Sequence, residues 1–170
     1  WSYYFNGAEA TSEGIELDVS YAIADNLYLD FTGSSMTAET NTDIESLSAS
    51  KGDRLPNTVE TQYNIGLTYE YSSPLMGLAS FVRADYLYYG DSFATFEQTE
   101  SMFSPDYTKI NINWGMQIDE NNSIQLSIDN ATDERTEAFK YSVSSPSWRP
   151  RDYMQWIPPR TVSVKYSYSF

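Results

Sequence analysis

Five of the ten basic residues in this sequence fall between positions 135 and 160: Arg135, Lys140, Arg149, Arg151 and Arg160. Tyr141, Trp148, Tyr153 and Trp156 are interleaved with them. Guanidinium forks match carboxylates and phosphates, and aromatic faces stack on sugars or flat ligands. The segment therefore reads in three ways. Trp148, Arg149, Arg151, Tyr153 and Trp156 form a contact surface for an anionic substrate, or the arginines meet phosphates at a surface, or the loop is solvated and its arginines balance Glu134, Glu137 and Asp152. A second concentration of charge runs from Met36 to Glu60, with Glu39, Asp43, Glu45, Asp53 and Glu60. Such carboxylates can hold calcium, but their spacing matches no calcium loop, so a solvated, mobile loop is expected.

Other chemistry has little to work with. The chain contains no histidine and no cysteine, which removes the usual general base, the commonest metal ligand and any thiolate. No carboxylate pair has a spacing that demands acid–base work, and no nucleophile elbow or phosphate loop is present. No catalytic residue, metal or cofactor is expected. The sequons at Asn121 and Asn130 read as chance matches. A net charge of −14 argues against nucleic acid, whose phosphates would be repelled.

What must position these residues is a set of strands. The 15 Tyr, 8 Phe and 4 Trp supply side chains with an apolar body, many with a polar tip, suited to half-wet surfaces. No run of about 18 apolar residues exists, so no transmembrane helix is expected, but alternating strands hide from such a test. Mean hydropathy is −0.50. Period-two alternation recurs: Ile15, Leu17, Val19, Tyr21 and Ile23; Leu27, Leu29 and Phe31; Tyr63, Ile65, Leu67, Tyr69 and Tyr71. It continues through Val82, Ala84, Tyr86 and Tyr88; Ile110, Ile112, Trp114, Met116 and Ile118; Ile124, Leu126 and Ile128; and Val162, Val164, Tyr166, Tyr168 and Phe170. With "WSYYF" at the start these make about eight strands, and no segment has a helical period.

Tight turns near Asp25, Pro74 and Asp119–Asn122 alternate with long polar connections at 34–61, 91–105 and 130–159, and a shorter one at 6–13. Short and long in alternation is the pattern of an antiparallel up-and-down barrel whose rims face different compartments. Aromatic residues near strand ends suit a membrane girdle. The opposite face carries Glu16, Asp18, Asp30, Glu70, Arg83, Asp85 and Lys165, which suits a hydrated interior. A closed sheet satisfies every backbone group inside lipid without leaving an edge. The fold expected is an all-β transmembrane barrel. Its rivals are a soluble, carbohydrate-binding β-sandwich and a self-standing eight-stranded membrane barrel with a structural or adhesive role.

Four segments carry a resemblance. "NGAEATSEGIELDVSYAI" resembles the Gly-Val-Glu-Leu strand of TonB-dependent outer-membrane receptors, and "KGDRLPNTVETQYNIGLTYEY" their Gly-x-x-Leu-Pro-Asn-x-Pro loop and following strand. "SIQLSIDNATDERTE" is similar to their Asn-Leu-Phe-Asp motif, with Asn130 and Asp133 kept and Ala131-Thr132 in place of Leu-Phe. "PPRTVSVKYSYSF" resembles their Pro-Arg-Thr final strand. The resemblance implies that residues 1–170 are a single C-terminal segment, the last eight of about 22 strands in a plugged barrel, without the plug or the TonB-contacting segment. It implies a place in the outer membrane of a Gram-negative bacterium and a part in energised uptake of an iron–siderophore complex, cobalamin, haem or an oligosaccharide. The partners it implies are outer-membrane lipid and lipopolysaccharide, TonB through a missing N-terminal region, the barrel-assembly machinery, and the small-molecule or oligosaccharide substrate. Tyr166, Tyr168 and Phe170 would carry the barrel-assembly signal.

Overall fold

The computed structural model of the chain describes residues 9–74, 76–145 and 148–170, and over 142–145 and 148–150 the backbone only. The expected strand "WSYYF" lies outside the described residues. Eleven strands follow in order: β1 (Ala10–Ala24), β2 (Leu27–Thr40), β3 (Thr61–Ser72), β4 (Ala79–Tyr89), β5 (Ser92–Phe93), β6 (Phe103–Ser104), β7 (Tyr107–Gln117), β8 (Asn122–Asp129), β9 (Glu137–Ser145), β10 (Trp148–Trp156) and β11 (Thr161–Tyr168). Among the described residues the only helical pieces are two 3-10 turns, Glu45–Leu47 and Glu100–Met102.

Seven strands form one antiparallel sheet in the order β1-β2-β3-β4-β7-β8-β11. Sequence neighbours are sheet neighbours, except where the β5–β6 and β9–β10 hairpins intervene. The register aligns the apolar stripes across the whole sheet. One row runs Leu27, Tyr69, Val82, Trp114, Leu126, Val164 through successive partners. A polar row three positions along the strands runs Ser20, Asp30, Gly66, Asp85, Asn111. A slip of one residue anywhere would put charges among the greasy side chains, so the alternation itself fixes the register.

Nothing covers the apolar face among the described residues. Ile15 is 76% exposed, Tyr21 63% and Val164 66%. The buried hydrophobics are Ala38, Ile44, Ala49, Met102 and Ile157, none of which belongs to an apolar stripe. A β-sandwich would press two such stripes together into a dry middle, and here they stand on a single layer. Aromatic residues mark both ends of that face. Tyr63 stacks near Phe31 and Tyr88, with ring centroids at 6.4 and 5.1 Å. Toward the other end Tyr69 and Tyr71 stack at 5.8 Å, and Trp114 Nε1 donates to Tyr71 Oη at 2.8 Å. Tyr63 and Tyr71 are eight residues apart on β3, about 26 Å of strand at ~3.3 Å per residue, the scale of an apolar band of about 25 Å.

All three tight turns lie on one rim and all three long connections on the other. The long ones are more ordered than their composition suggests. β1 and β2 pair from Ala10↔Thr40 onward, so residues 10–13 and 32–40 are strand, and the true β2–β3 connection is 41–60. The apolar alternation stops at Phe31 because a strand beyond the hydrocarbon needs no greasy face. The connections at 91–105 and 130–159 are not plain polar loops: each carries a hairpin of its own, β5–β6 and β9–β10.

Candidate functional site

The polar face is organised around one guanidinium. Arg83 Nη1 lies 2.6 Å from Asp30 Oδ2 and donates to Thr68 Oγ1 at 3.0 Å. Its Nε and Nη2 reach Asp85 at 3.0 and 2.8 Å. Ser20 Oγ donates to the other oxygen of Asp30 at 2.8 Å. Gly66 forms the floor: a Cβ there would collide with the Arg83 guanidinium. This network ties β1, β2, β3 and β4 together through side chains, and it stiffens the wall rather than offering a free charge. Above it lies a groove of about 480 Å³ lined by Glu16, Asp18, Gln62, Asn64, Leu87 and Tyr89, among others.

At the long-loop rim the acidic segment is folded, which corrects the expectation of a mobile loop. Ala38, Ile44 and Ala49 are buried there. Arg54, in the Arg-Leu-Pro-Asn stretch, pairs with Asp91 at 3.1 Å and Glu60 at 3.4 Å, and donates to the Thr58 carbonyl at 2.6 Å. Asp53 accepts from Ser50 N–H at 2.7 Å and Asp43 from Lys51 N–H at 2.8 Å. These carboxylates are occupied by local partners, and no cluster of three metal-ligating side chains occurs among the described residues.

The basic, aromatic segment is the β9–β10 hairpin. Tyr141 and Tyr153 face each other across it, rings 4.9 Å apart and 8° from parallel, with Phe139 next along the same face. Arg151 is two residues from Tyr153 and shares that face. Trp156 does not join them: the strand alternates past a bulge at Gln155/Trp156 and leaves Trp156 on the opposite side with Met154. Lys140 is bound to Glu137 at 2.7 Å. The side chains of Trp148 and Arg149 lie outside the described residues. Of the five residues picked from the sequence, the structure thus gathers Arg151 and Tyr153, and adds Tyr141 and Phe139. Period-two parity with Tyr153 across a hairpin was the signal for these two.

Asn130 and Asp133, to which the sequence pattern assigns no site role, form the hairpin's neck. Asn130 is 1% exposed at a positive φ of 51°. Its amide donates to the carbonyls of Glu134 and Pro158, both at 3.0 Å, and accepts from Glu134 N–H at 2.9 Å. Asp133 accepts from Arg160 N–H at 3.0 Å and from Arg135 at 3.0 Å. Those two donors, the Arg160 amide first, hold the Asp133 carboxyl below the usual range. Tyr166 and Tyr168 on β11, and Phe170 two residues beyond its end, are exposed, with Tyr166 Oη donating to Asn122 Oδ1.

A family model described as TonB dependent receptor-like, beta-barrel matches residues 1–131. No curated protein matches in sequence. The fold is similar to that of the ferric yersiniabactin uptake receptor FyuA from Yersinia pestis, with TM-score 0.80 and 19% identity over 97% of this chain and 24% of that one. It is also similar to the ferric preacinetobactin receptor BauA from Acinetobacter baumannii, with TM-score 0.74 and 14% identity over 98% of this chain and 23% of that one. The siderophore receptor PiuA from Acinetobacter baumannii gives TM-score 0.71 and 17% identity, over 94% of this chain and 22% of that one. The chain therefore spans about a quarter of the length of the solved structures it matches.

Proposed function

The chain belongs to the TonB-dependent receptor β-barrel family, whose members are outer-membrane receptors rather than enzymes, and on that premise we propose that it is the C-terminal wall of a receptor that imports ferric siderophores. In this reading the apolar face of the sheet meets lipid and the Arg83 face lines the lumen. The long connections and the β9–β10 hairpin stand outside the cell and contribute to the receiving surface. The other strands, the plug inside them and the segment that engages TonB belong to the rest of the receptor, so energised transport is a property of that whole. The single-layer sheet, greasy on one face and charged on the other, carries the membrane part of this reading. The ferric-siderophore part is supported by the structural neighbours, which are receptors for ferric yersiniabactin and ferric preacinetobactin, and cobalamin, haem and oligosaccharides are the competing substrates.

The hairpin face of Phe139, Tyr141, Arg151 and Tyr153 suits a flat, anionic ligand, because stacking and a guanidinium fork act together there. The test is binding to the purified full receptor in detergent. Ferric siderophores of the catecholate, hydroxamate and mixed types are titrated while tryptophan fluorescence is followed. Quenching by at least one ferric complex, weakened about tenfold or more by Arg151→Ala with Tyr153→Ala, is the expected result. Saturable binding of cobalamin or haem with no response to any ferric siderophore would overturn the assignment.

A further inference from the structure

The β9–β10 hairpin poses a mechanical problem. β8 and β11 pair directly from Thr161↔Asp129 to Tyr168↔Asn122, so residues 130–160 are an insertion that leaves the sheet and returns to it. Its two strands are nine residues each, about 30 Å at ~3.3 Å per residue. An isolated two-stranded hairpin is marginal in water. Two features can set the direction in which it leaves the rim: the contact of β9 with β6 of the neighbouring connection, and the base itself.

The base is built around one side chain. The Asn130 amide uses both donor hydrogens, on the Glu134 and Pro158 carbonyls, and its oxygen accepts from Glu134 N–H and, at 3.5 Å, from Thr132 Oγ1. A primary amide has two donors and two acceptor lone pairs, and all four are used. Its backbone N–H donates to Asn111 Oδ1 at 3.0 Å, and the next, of Ala131, to the Ile110 carbonyl at 2.7 Å, which fastens the turn to β7. One residue thus joins both legs of the insertion to the sheet. Asp133 on Arg160 N–H and Ile157 N–H on the Thr136 carbonyl, at 3.1 Å, continue the closure. No other side chain can do the same here. Aspartate lacks the two donors, glutamine is a methylene too long, and alanine takes both donors away from the Glu134 and Pro158 carbonyls. Asparagine also tolerates the left-handed backbone at this position.

We propose that Asn130 is the positioning residue of the outermost hairpin: it fixes the angle at which β9–β10 leaves the barrel wall, so that Arg151, Tyr153 and Tyr141 are presented in one orientation, and it touches no ligand itself. The inference rests on reading this hairpin as part of the receptor's extracellular surface, but not on which ligand is taken.

The test uses the full receptor in lipid nanodiscs. This chain has no cysteine, so once any elsewhere are removed, Ser127→Cys on the wall and Gln155→Cys on the hairpin carry a spin-label pair. Pulsed dipolar spectroscopy should give one narrow distance distribution with Asn130 in place. Asn130→Ala and Asn130→Asp should each at least double its width while the heat-modifiable, folded fraction stays the same. Thr132→Val, which removes the longest bond alone, should leave the width unchanged. Where Asn130→Ala does not insert, Asn130→Asp decides. An unchanged width in a folded variant overturns the proposal. So does failure of both variants to insert, because a residue that only aims a hairpin leaves assembly intact. The measurement needs no ligand, so a receptor that ignored every ferric siderophore would sink the proposed substrate and leave this result standing.

Discussion

At the residue scale, the neck of the hairpin couples geometry to charge. Asp133 faces Arg160 N–H and the Arg135 guanidinium, and these lower its folded pKa. A carboxyl depressed in the folded state contributes stability above its unfolded pKa of about 3.9, and that contribution is lost as pH falls through the folded value. Hairpin order should therefore be flat from about pH 8 to 5 and decline only below about 4. A nitroxide at Gln155→Cys in the full receptor reads this as a rise in label mobility at acid pH. Asp133→Asn keeps an oxygen for Arg160 N–H and removes the titration, so its mobility should be insensitive to pH. A transition above pH 5, or one that Asp133→Asn leaves in place, counts against the assignment. Neither Asn130 nor Asp133 announces this role in the sequence. Asn130 is joined to Pro158, 28 residues away, and a short polar residue beside a turn has an adequate local explanation already.

At the element scale, the sheet was legible where lipid imposes a rule and illegible where it does not. From Ile15 to Ile23 every second side chain is apolar, because every second side chain leaves the wall for hydrocarbon. Past Phe31 the same strand continues to Thr40 with no such constraint, and its composition reads as loop. β9 and β10 hide for the same reason: Lys140, Asp152 and Gln155 sit among their aromatics. Of the residues proposed from the sequence, Trp156 was separated from Tyr153 by simple alternation, which a count of arginines and aromatics along the chain overlooks. The lipid rule also makes a testable contrast. Leu67 lies midway between Tyr63 and Tyr71 on the apolar face, and Ser127 on the polar face of β8. Leu67→Arg should cost about 2–4 kcal/mol, the penalty for a cation near the bilayer midplane, and Ser127→Arg within about 0.5 kcal/mol of nothing, as for a wet surface site. Urea unfolding of the receptor refolded into lipid vesicles measures both. Equal costs would mean that the two faces see the same solvent, and the membrane reading would fail.

At the scale of the whole molecule, the two outer strands of the sheet decide what the chain needs. β1 and β11 stand at opposite edges, paired on one side only among the described residues. In lipid an unpaired backbone group costs several kcal/mol, and β11 alone is eight residues long, so an open edge in the bilayer outweighs any single side-chain interaction in the sheet. The apolar face makes the chain equally unsuited to water. In the receptor wall proposed above, neighbouring strands of a larger barrel cover these two edges. Expressed alone with an export signal, the chain should give no heat-modifiable, protease-resistant species in outer membranes. Co-expressed with the preceding part of its receptor as a separate polypeptide, it should give one, because the missing strands then cap both edges. In that split system we expect removal of Phe170 to lower the yield, since Tyr166, Tyr168 and Phe170 line the outward face of the strand that the assembly machinery is proposed to read. A folded, heat-modifiable species from the chain by itself would show that it closes its own edges, and would replace the receptor wall with a small, self-standing barrel.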